Sequence, residues 1–243
     1  MAHPILIFGA TGGVGSHLAL RLSRAGYPLF LSARDADALQ ALSEKLDAPC
    51  AAGDVTNGDD LARIVEQAGG EEAALGGLAF CVGSIDLAPL KRVSSEAMET
   101  SFRLNAVAPA LALKDAAAAL KKGKGSVVLF STIAVEQGFP NHTIVSAAKG
   151  AVEGLMRAAA ADLAPDVRVN AIAPSLLNTK LAAPITKSEA MAEGIAKLHP
   201  IPRLGEADDA AALAAFLLSD DAPWITGQVM RVDGGRSHLR TRG

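Results

Sequence analysis

The sequence predicts a single α/β domain of Rossmann type, a doubly wound, parallel, seven-stranded sheet flanked by helices. Three observations carry that prediction. Short apolar runs alternate with longer stretches of helical spacing along the whole chain. A glycine-rich turn joins the first apolar run to the first helical stretch. Half of the 243 residues are apolar, with one Trp and one Tyr, so Ala, Leu, Ile and Val must build the core. Such residues suit strands covered by helices on both faces. The length fits one large domain, and no linker or tandem repeat divides residues 1–243.

Residues 4–8 read as a buried strand and 14–25 as a helix that stops at Gly26. The second strand falls at 29–31 and the second helix at 35–46, with Asp35 as its cap. Residues 50–52 form the third strand and 58–68 the third helix. The fourth strand is placed at 78–82, followed by one long helix over 95–120. Residues 126–130 make the fifth strand. A second long helix spans 142–163, with Asn141 as its cap, and the sixth strand is at 167–172. Residues 175–204 are Pro-rich, irregular and too long for an ordinary loop, so they read as a substrate lid. A last helix at 208–218 and a last strand at 229–232 complete the pattern.

Composition narrows the function. The net charge is −3, and no basic stripe is available to neutralise a phosphate backbone, which argues against a nucleic-acid partner. Lys121, Lys122 and Lys124 form the one dense basic cluster, where they favour the negative end of a helix dipole. The five histidines are scattered outside any ligand motif, so no metal is expected. Cys50 and Cys81 lie in or beside strand-like runs without a partner motif and read as reduced core thiols of a cytoplasmic protein. No run of about 18 apolar residues exists to span a membrane. The first eight residues lack the basic start and longer apolar stretch of a signal peptide.

The glycine turn runs Gly9-Ala10-Thr11-Gly12-Gly13-Val14-Gly15. Glycines there let the backbone turn tightly and let phosphate oxygens approach amide N–H groups, while the helix start adds a favourable dipole. Gly9, Thr11, Gly13, Val14 and Gly15 are therefore candidates to bind a dinucleotide pyrophosphate. A carboxylate at the end of the second strand would hold a ribose 2′-hydroxyl, and a cation there would accommodate a 2′-phosphate. The residues are Ser32-Ala33-Arg34, so Arg34 favours NADP(H) over NAD(H). The alternative leaves Arg34 in solvent and gives the ribose to Asp35.

These residues resemble the classical short-chain dehydrogenase/reductase family, over almost the whole chain. Gly9…Gly13-Val14-Gly15 matches its G-x-x-x-G-x-G turn. Asp54-Val55 matches the Asp-hydrophobic pair that contacts adenine, and Asn105 its helix-borne asparagine. Lys149 fits the lysine of Y-x-x-x-K. Asn170-Ala171-Ile172-Ala173-Pro174 is similar to the run after the sixth strand. Thr179 fits the threonine that meets the nicotinamide carboxamide. Ile225-Thr226-Gly227-Gln228 through Val232-Asp233-Gly234-Gly235 is similar to the C-terminal signature.

The resemblance implies that Asp54, Val55, Gly83, Lys149, Pro174 and Thr179 join the glycine turn in binding the cofactor. It also implies that Lys149, Thr132 and Asn105 carry the catalytic positions. A small carbonyl or alcohol substrate and a homo-oligomer, dimer or tetramer, follow from it too.

The chain departs from the family at several positions. The family's N-N-A-G reads Phe80-Cys81-Val82-Gly83, its Pro-Gly reads Pro174-Ser175, and Thr132 replaces the serine. The tyrosine position holds Val145, and Tyr27 is the only tyrosine. In the family the tyrosine hydroxyl exchanges the proton on the substrate oxygen, the lysine lowers its pKa and binds ribose, and the asparagine holds a relay water. Valine has no proton chemistry. His142, Val145 and Lys149 share one helical face, which makes His142 and Lys149 alternative proton donors. The bland readings are a first-turn surface histidine and a lysine that only holds ribose. Two functions remain: an NADP(H)-dependent oxidoreductase with an altered proton donor, or an inactive NADP(H)-binding protein serving as redox sensor or inactive subunit.

Overall fold

A computed structural model describes residues 3–186 and 188–241. The strands are β1 (Ile5–Phe8), β2 (Leu29–Ala33), β3 (Cys50–Ala52), β4 (Gly77–Phe80), β5 (Ser126–Phe130), β6 (Arg168–Pro174), β7 (Leu177–Asn178), β8 (Gly205–Glu206) and β9 (Val229–Val232). The helices are α1 (Gly13–Arg24), α2 (Ala36–Leu46), α3 (Gly58–Gly69), α4 (Ser95–Phe102), α5 (Ala108–Gly123), α6 (Thr143–Leu163), α7 (Glu189–Ala196) and α8 (Ala207–Leu218). Seven strands form one sheet in the order β3-β2-β1-β4-β5-β6-β9, every pair parallel. This is the Rossmann-type α/β fold that the alternating pattern predicts.

Alternation along the strands divides the interior into two cores. Leu6, Phe8, Leu78 and Val127 face one side, where α3, α5 and α6 cover them with Leu61, Ile64, Leu113 and Met156. Ile5, Ile7, Leu31 and Val128 face the other, against Leu18, Leu22, Leu39 and Leu217 of α1, α2 and α8. Strand order reverses between β1 and β4, and that switch point opens a crevice at the carboxyl ends of the strands.

Three local expectations are corrected. The helix expected over 95–120 is interrupted by a π-helical turn, Arg103–Val107, between α4 and α5. Pro109 stands in the first turn of α5. It lacks an amide hydrogen and its ring crowds the carbonyl four residues back, so the wider turn accommodates it. Asn141 does not cap α6: it adopts φ +68°, and the N-cap is His142, with no side-chain cap bond. The fourth strand ends at Phe80 rather than 82, because residues 81–83 leave the sheet to wall the crevice.

Within 175–204, α7 is capped by Ser188, whose hydroxyl accepts from the Met191 amide, and β7 pairs with β8. Residue 187 of that stretch lies outside the described residues. No described helix is long and apolar enough to cross a membrane.

Candidate active site

The glycine turn leaves β1 at Gly9, whose φ is +75°. A Cβ on Gly9 would lie 2.9 Å from the Cys81 carbonyl oxygen, and one on Gly15 would lie 2.2 Å from the Gly9 carbonyl oxygen. Gly13 admits the Thr179 methyl group, 2.8 Å from where its Cβ would be. Thr11 is half-buried within the turn. Helix α1 starts at Gly13 with no side-chain cap and no acidic residue in its first turn. By contrast, α2, α3 and α4 are capped by Asp35, Asn57 and Ser94. The leading amides of α1 are thus left for an anion, and the cradle fits a pyrophosphate.

Beside it lies a cavity of about 360 Å³, within the range of small-molecule sites. Val14, Gly83, Thr132, Lys149, Pro174 and Thr179 all line it. So do Cys81, Val145 and His142. His142 is half-buried at this wall. Its Nδ1 hydrogen-bonds the Pro140 carbonyl at 2.8 Å, and its ring meets Phe139 edge-on.

Lys149 is buried, and its Nζ donates to the Phe130 carbonyl oxygen at 2.9 Å. Burial lowers its pKa to about 8, because a charged ammonium is disfavoured away from water. Burial likewise pushes the Cys81 thiol up to about 12, so that group stays neutral. Thr132 accepts from the Ala134 amide at 3.3 Å, which leaves its hydroxyl proton free to be donated elsewhere. Gly83 is required by both partners: a Cβ there would lie 2.8 Å from Asn105 Oδ1 and 3.0 Å from Lys149 Nζ.

Asn105 sits in the π-turn and ties the β4 loop to α4. Its Oδ1 accepts from the Ser84 amide at 3.1 Å, and its Nδ2 donates to Ser84 Oγ at 2.9 Å and the Ser101 carbonyl at 3.0 Å. These bonds make it a brace for the loop that carries Gly83 and Ser84. Asn105→Ala is expected to lose about 1–3 kcal/mol of stability, since it leaves buried groups unpaired. Urea denaturation checks this; an unchanged midpoint would show the brace to be dispensable.

Arg34 lies exposed at the end of β2. Asp54, beyond β3, accepts from both the amide and the hydroxyl of Thr56 at 2.8 Å. These bonds hold its carboxyl below the usual range, with a further contribution from the Arg34 charge. The Asp35 carboxylate is engaged with the Ala38 amide at 3.0 Å, as a helix cap. The Val55 side chain is buried in the core cluster with Leu61 and Ile64.

Sequence reasoning missed part of the cavity lining. Arg236 reaches it from beyond β9, and Ser175 and Phe139 line it too. In the sequence, only the glycine pair Gly234-Gly235 hints at a sharp return of the chain. Among the described residues, no group of His, Cys, Asp and Glu could hold a metal ion.

The family model described as "Enoyl-(Acyl carrier protein) reductase" matches residues 9–237. The human "Dehydrogenase/reductase SDR family member 4" is 31% identical over 241 residues, covering 95% of this chain and 86% of the relative. A solved short-chain type dehydrogenase/reductase from Mycobacterium ulcerans is 35% identical, with a TM-score of 0.92 over 99% of this chain and 91% of its own. "ElxO with NADP Bound" is 26% identical, with a TM-score of 0.87 over 97% of this chain and 99% of its own.

Proposed function

The chain belongs to the classical short-chain dehydrogenase/reductase family of oxidoreductases, and within it we propose an NADP(H)-dependent enzyme that interconverts a carbonyl and an alcohol, with Lys149 as proton donor. The observation that carries the proposal is the placement of Lys149 and Val145 on one wall of the cavity beside the glycine turn. A nicotinamide cofactor, when bound, supplies or accepts the hydride. Gly9, Thr11, Gly13, Val14 and Gly15 hold its pyrophosphate. Asp54, Val55, Gly83, Pro174 and Thr179 line the remainder of its site, with the buried Val55 acting through its backbone.

In reduction the Lys149 ammonium gives a proton to the substrate oxygen as the carbonyl carbon gains hydride, which balances to the alcohol. Oxidation reverses this with the neutral amine. The Thr132 hydroxyl donates a hydrogen bond to the same oxygen, and Asn105 positions the loop. Val145 stands at the family's tyrosine position, contributes no proton and leaves its transfer to Lys149. A buried amine with pKa about 8 is matched to proton transfer near neutral pH.

The preference for NADP(H) is supported by Arg34 and by the engagement of Asp35 as a helix cap, and a neighbour of the same fold has NADP bound. Arg34→Ala is expected to weaken NADPH about 10–100-fold, as loss of a charge-assisted phosphate contact does, with NADH little changed. Fluorescence titration of both dinucleotides reads this. Equal losses for the two would contradict the assignment.

Residues 1–243 act as one domain, with 175–204 as the lid. Exposed Ala118, Ala158 and Ala161 on α5 and α6 allow close helix contact and support a dimer or tetramer. The two free cysteines suit a reducing cytoplasm.

The test is NADPH oxidation over a panel of ketones, aldehydes and quinones, comparing wild type with Val145→Tyr. Turnover by the wild type supports the proposal. A wild type that binds NADPH but stays silent, while Val145→Tyr turns over, favours the second reading that Val145 itself suggests, an inactive dinucleotide-binding protein.

A further inference from the structure

We propose that the substrate of this cavity is a carbonyl compound bearing a carboxylate on an apolar body, and that Arg236 binds the carboxylate. The inference rests on the oxidoreductase reading of the site and specifies its substrate class. After β9, Gly234 and Gly235 adopt φ +59° and +87°, backbone conformations that turn the chain back. Arg236 is thereby delivered to the cavity wall. Its guanidinium stacks over the Phe139 ring, 4.7 Å from the centroid, and its Nη1 reaches Ser175 Oγ at 3.5 Å.

Ser175 is itself fixed. The His199 Nδ1 faces the Ile195 carbonyl at 2.9 Å, and a carbonyl can only accept, so Nδ1 carries the proton. In the neutral ring Nε2 then accepts from Ser175 Oγ at 2.8 Å. The serine proton is directed at His199, and its lone pairs are turned to Arg236.

Charge in the cavity is one-sided. Among the described residues, Arg236 and Lys149 are the basic side chains that line it with His142, and no carboxylate does. Asp233, whose field acts on Arg236, has its two oxygens engaged by the Gly235 and Ser237 amides at 2.9 Å. Among the described residues Arg236 makes no ion pair. Arg236 is half-buried, and burial lowers its pKa, yet guanidinium keeps its proton. Its planar fork matches a carboxylate with two parallel bonds. The lining is otherwise mainly apolar, with Ile85, Leu181, Ala182, Ile185 and Ile195, which sets the character of the substrate's body.

The experiment is calorimetric titration of octanoate and octanamide into the protein saturated with NADP+, for wild type, Arg236→Met and Arg236→Lys. Octanoate is expected to bind at least about 10-fold tighter than octanamide in the wild type. Arg236→Met should weaken octanoate about 10–100-fold, to the level of the amide. Arg236→Lys should fall between, having charge without the fork. Equal binding of acid and amide, no octanoate binding, or indifference to Arg236→Met would overturn the proposal. So would a loss of NADP+ affinity in Arg236→Met, which would place this cation on the cofactor. Binding is read without turnover, so the two readings fail separately. A silent protein that holds octanoate through Arg236 refutes the oxidoreductase reading alone, and an active one indifferent to the carboxylate refutes this inference alone.

Discussion

Lys149→Met is expected to lower NADPH-dependent carbonyl reduction about 10²–10⁴-fold, the usual cost of losing a positioned general acid. Methionine keeps most of the lysine's length and removes the proton. It also leaves the Phe130 carbonyl, which Lys149 serves at 2.9 Å, without that donor. Part of the effect could then be structural, and Lys149→Arg separates the two. Guanidinium restores charge and a donor for Phe130 but does not release its proton. If Lys149 transfers the proton, the arginine variant is as slow as the methionine one while its NADPH affinity is closer to wild type. If Lys149 only holds ribose, arginine recovers most of the rate. Single-turnover NADPH oxidation at saturating cofactor distinguishes these outcomes. Space around Nζ is limited by Gly83, where a Cβ would approach to 3.0 Å, so the arginine variant needs a melting curve as a check on folding.

Gly15→Ala is expected to weaken NADPH by more than about 100-fold and to cost about 1–3 kcal/mol of stability, the usual range for forcing extra atoms into a packed site. The added Cβ would lie 2.2 Å from the Gly9 carbonyl oxygen, 2.9 Å from its carbon and 3.1 Å from the Ala10 Cα. All three are backbone atoms, so relief requires the turn itself to move, and with it the amides at the start of α1. Gly58→Ala is the matched control, since nothing lies within 4 Å of a Cβ there. It should leave NADPH affinity unchanged. Cofactor titration and urea denaturation of both variants test the pair, and retained affinity in Gly15→Ala would remove the phosphate role of the turn.

The fold was legible because its strands are short apolar runs such as 5–8 and 126–130, bounded by turns, and a buried parallel strand needs little else. Helix boundaries held to within a residue or two where capping was local, as at Asp35. They failed where the cause was a neighbouring residue's sterics. Pro109 was present in the sequence, but its effect falls four residues earlier, at Asn105, and produces the π-turn. The glycine turn and Lys149 could be recognised because spacing along one element fixes them. Arg236 could not, because its place in the cavity depends on the Gly234-Gly235 turn, the Phe139 ring and the lid meeting in space. His142 lay between these cases: helical spacing put it on the Lys149 face, and the structure has it line the same cavity.

The most direct test of the account is the pH dependence of single-turnover NADPH oxidation with a responsive carbonyl substrate, from about pH 6 to 10. Burial holds Lys149 near pKa 8, below the ordinary lysine range, so its proton-donating form is depleted as pH rises through about 8. The account predicts a rate that is level below that pH and falls tenfold per unit above it, with alcohol oxidation rising over the same interval. A profile that runs flat through pH 8 in both directions would contradict the assignment of the proton to Lys149.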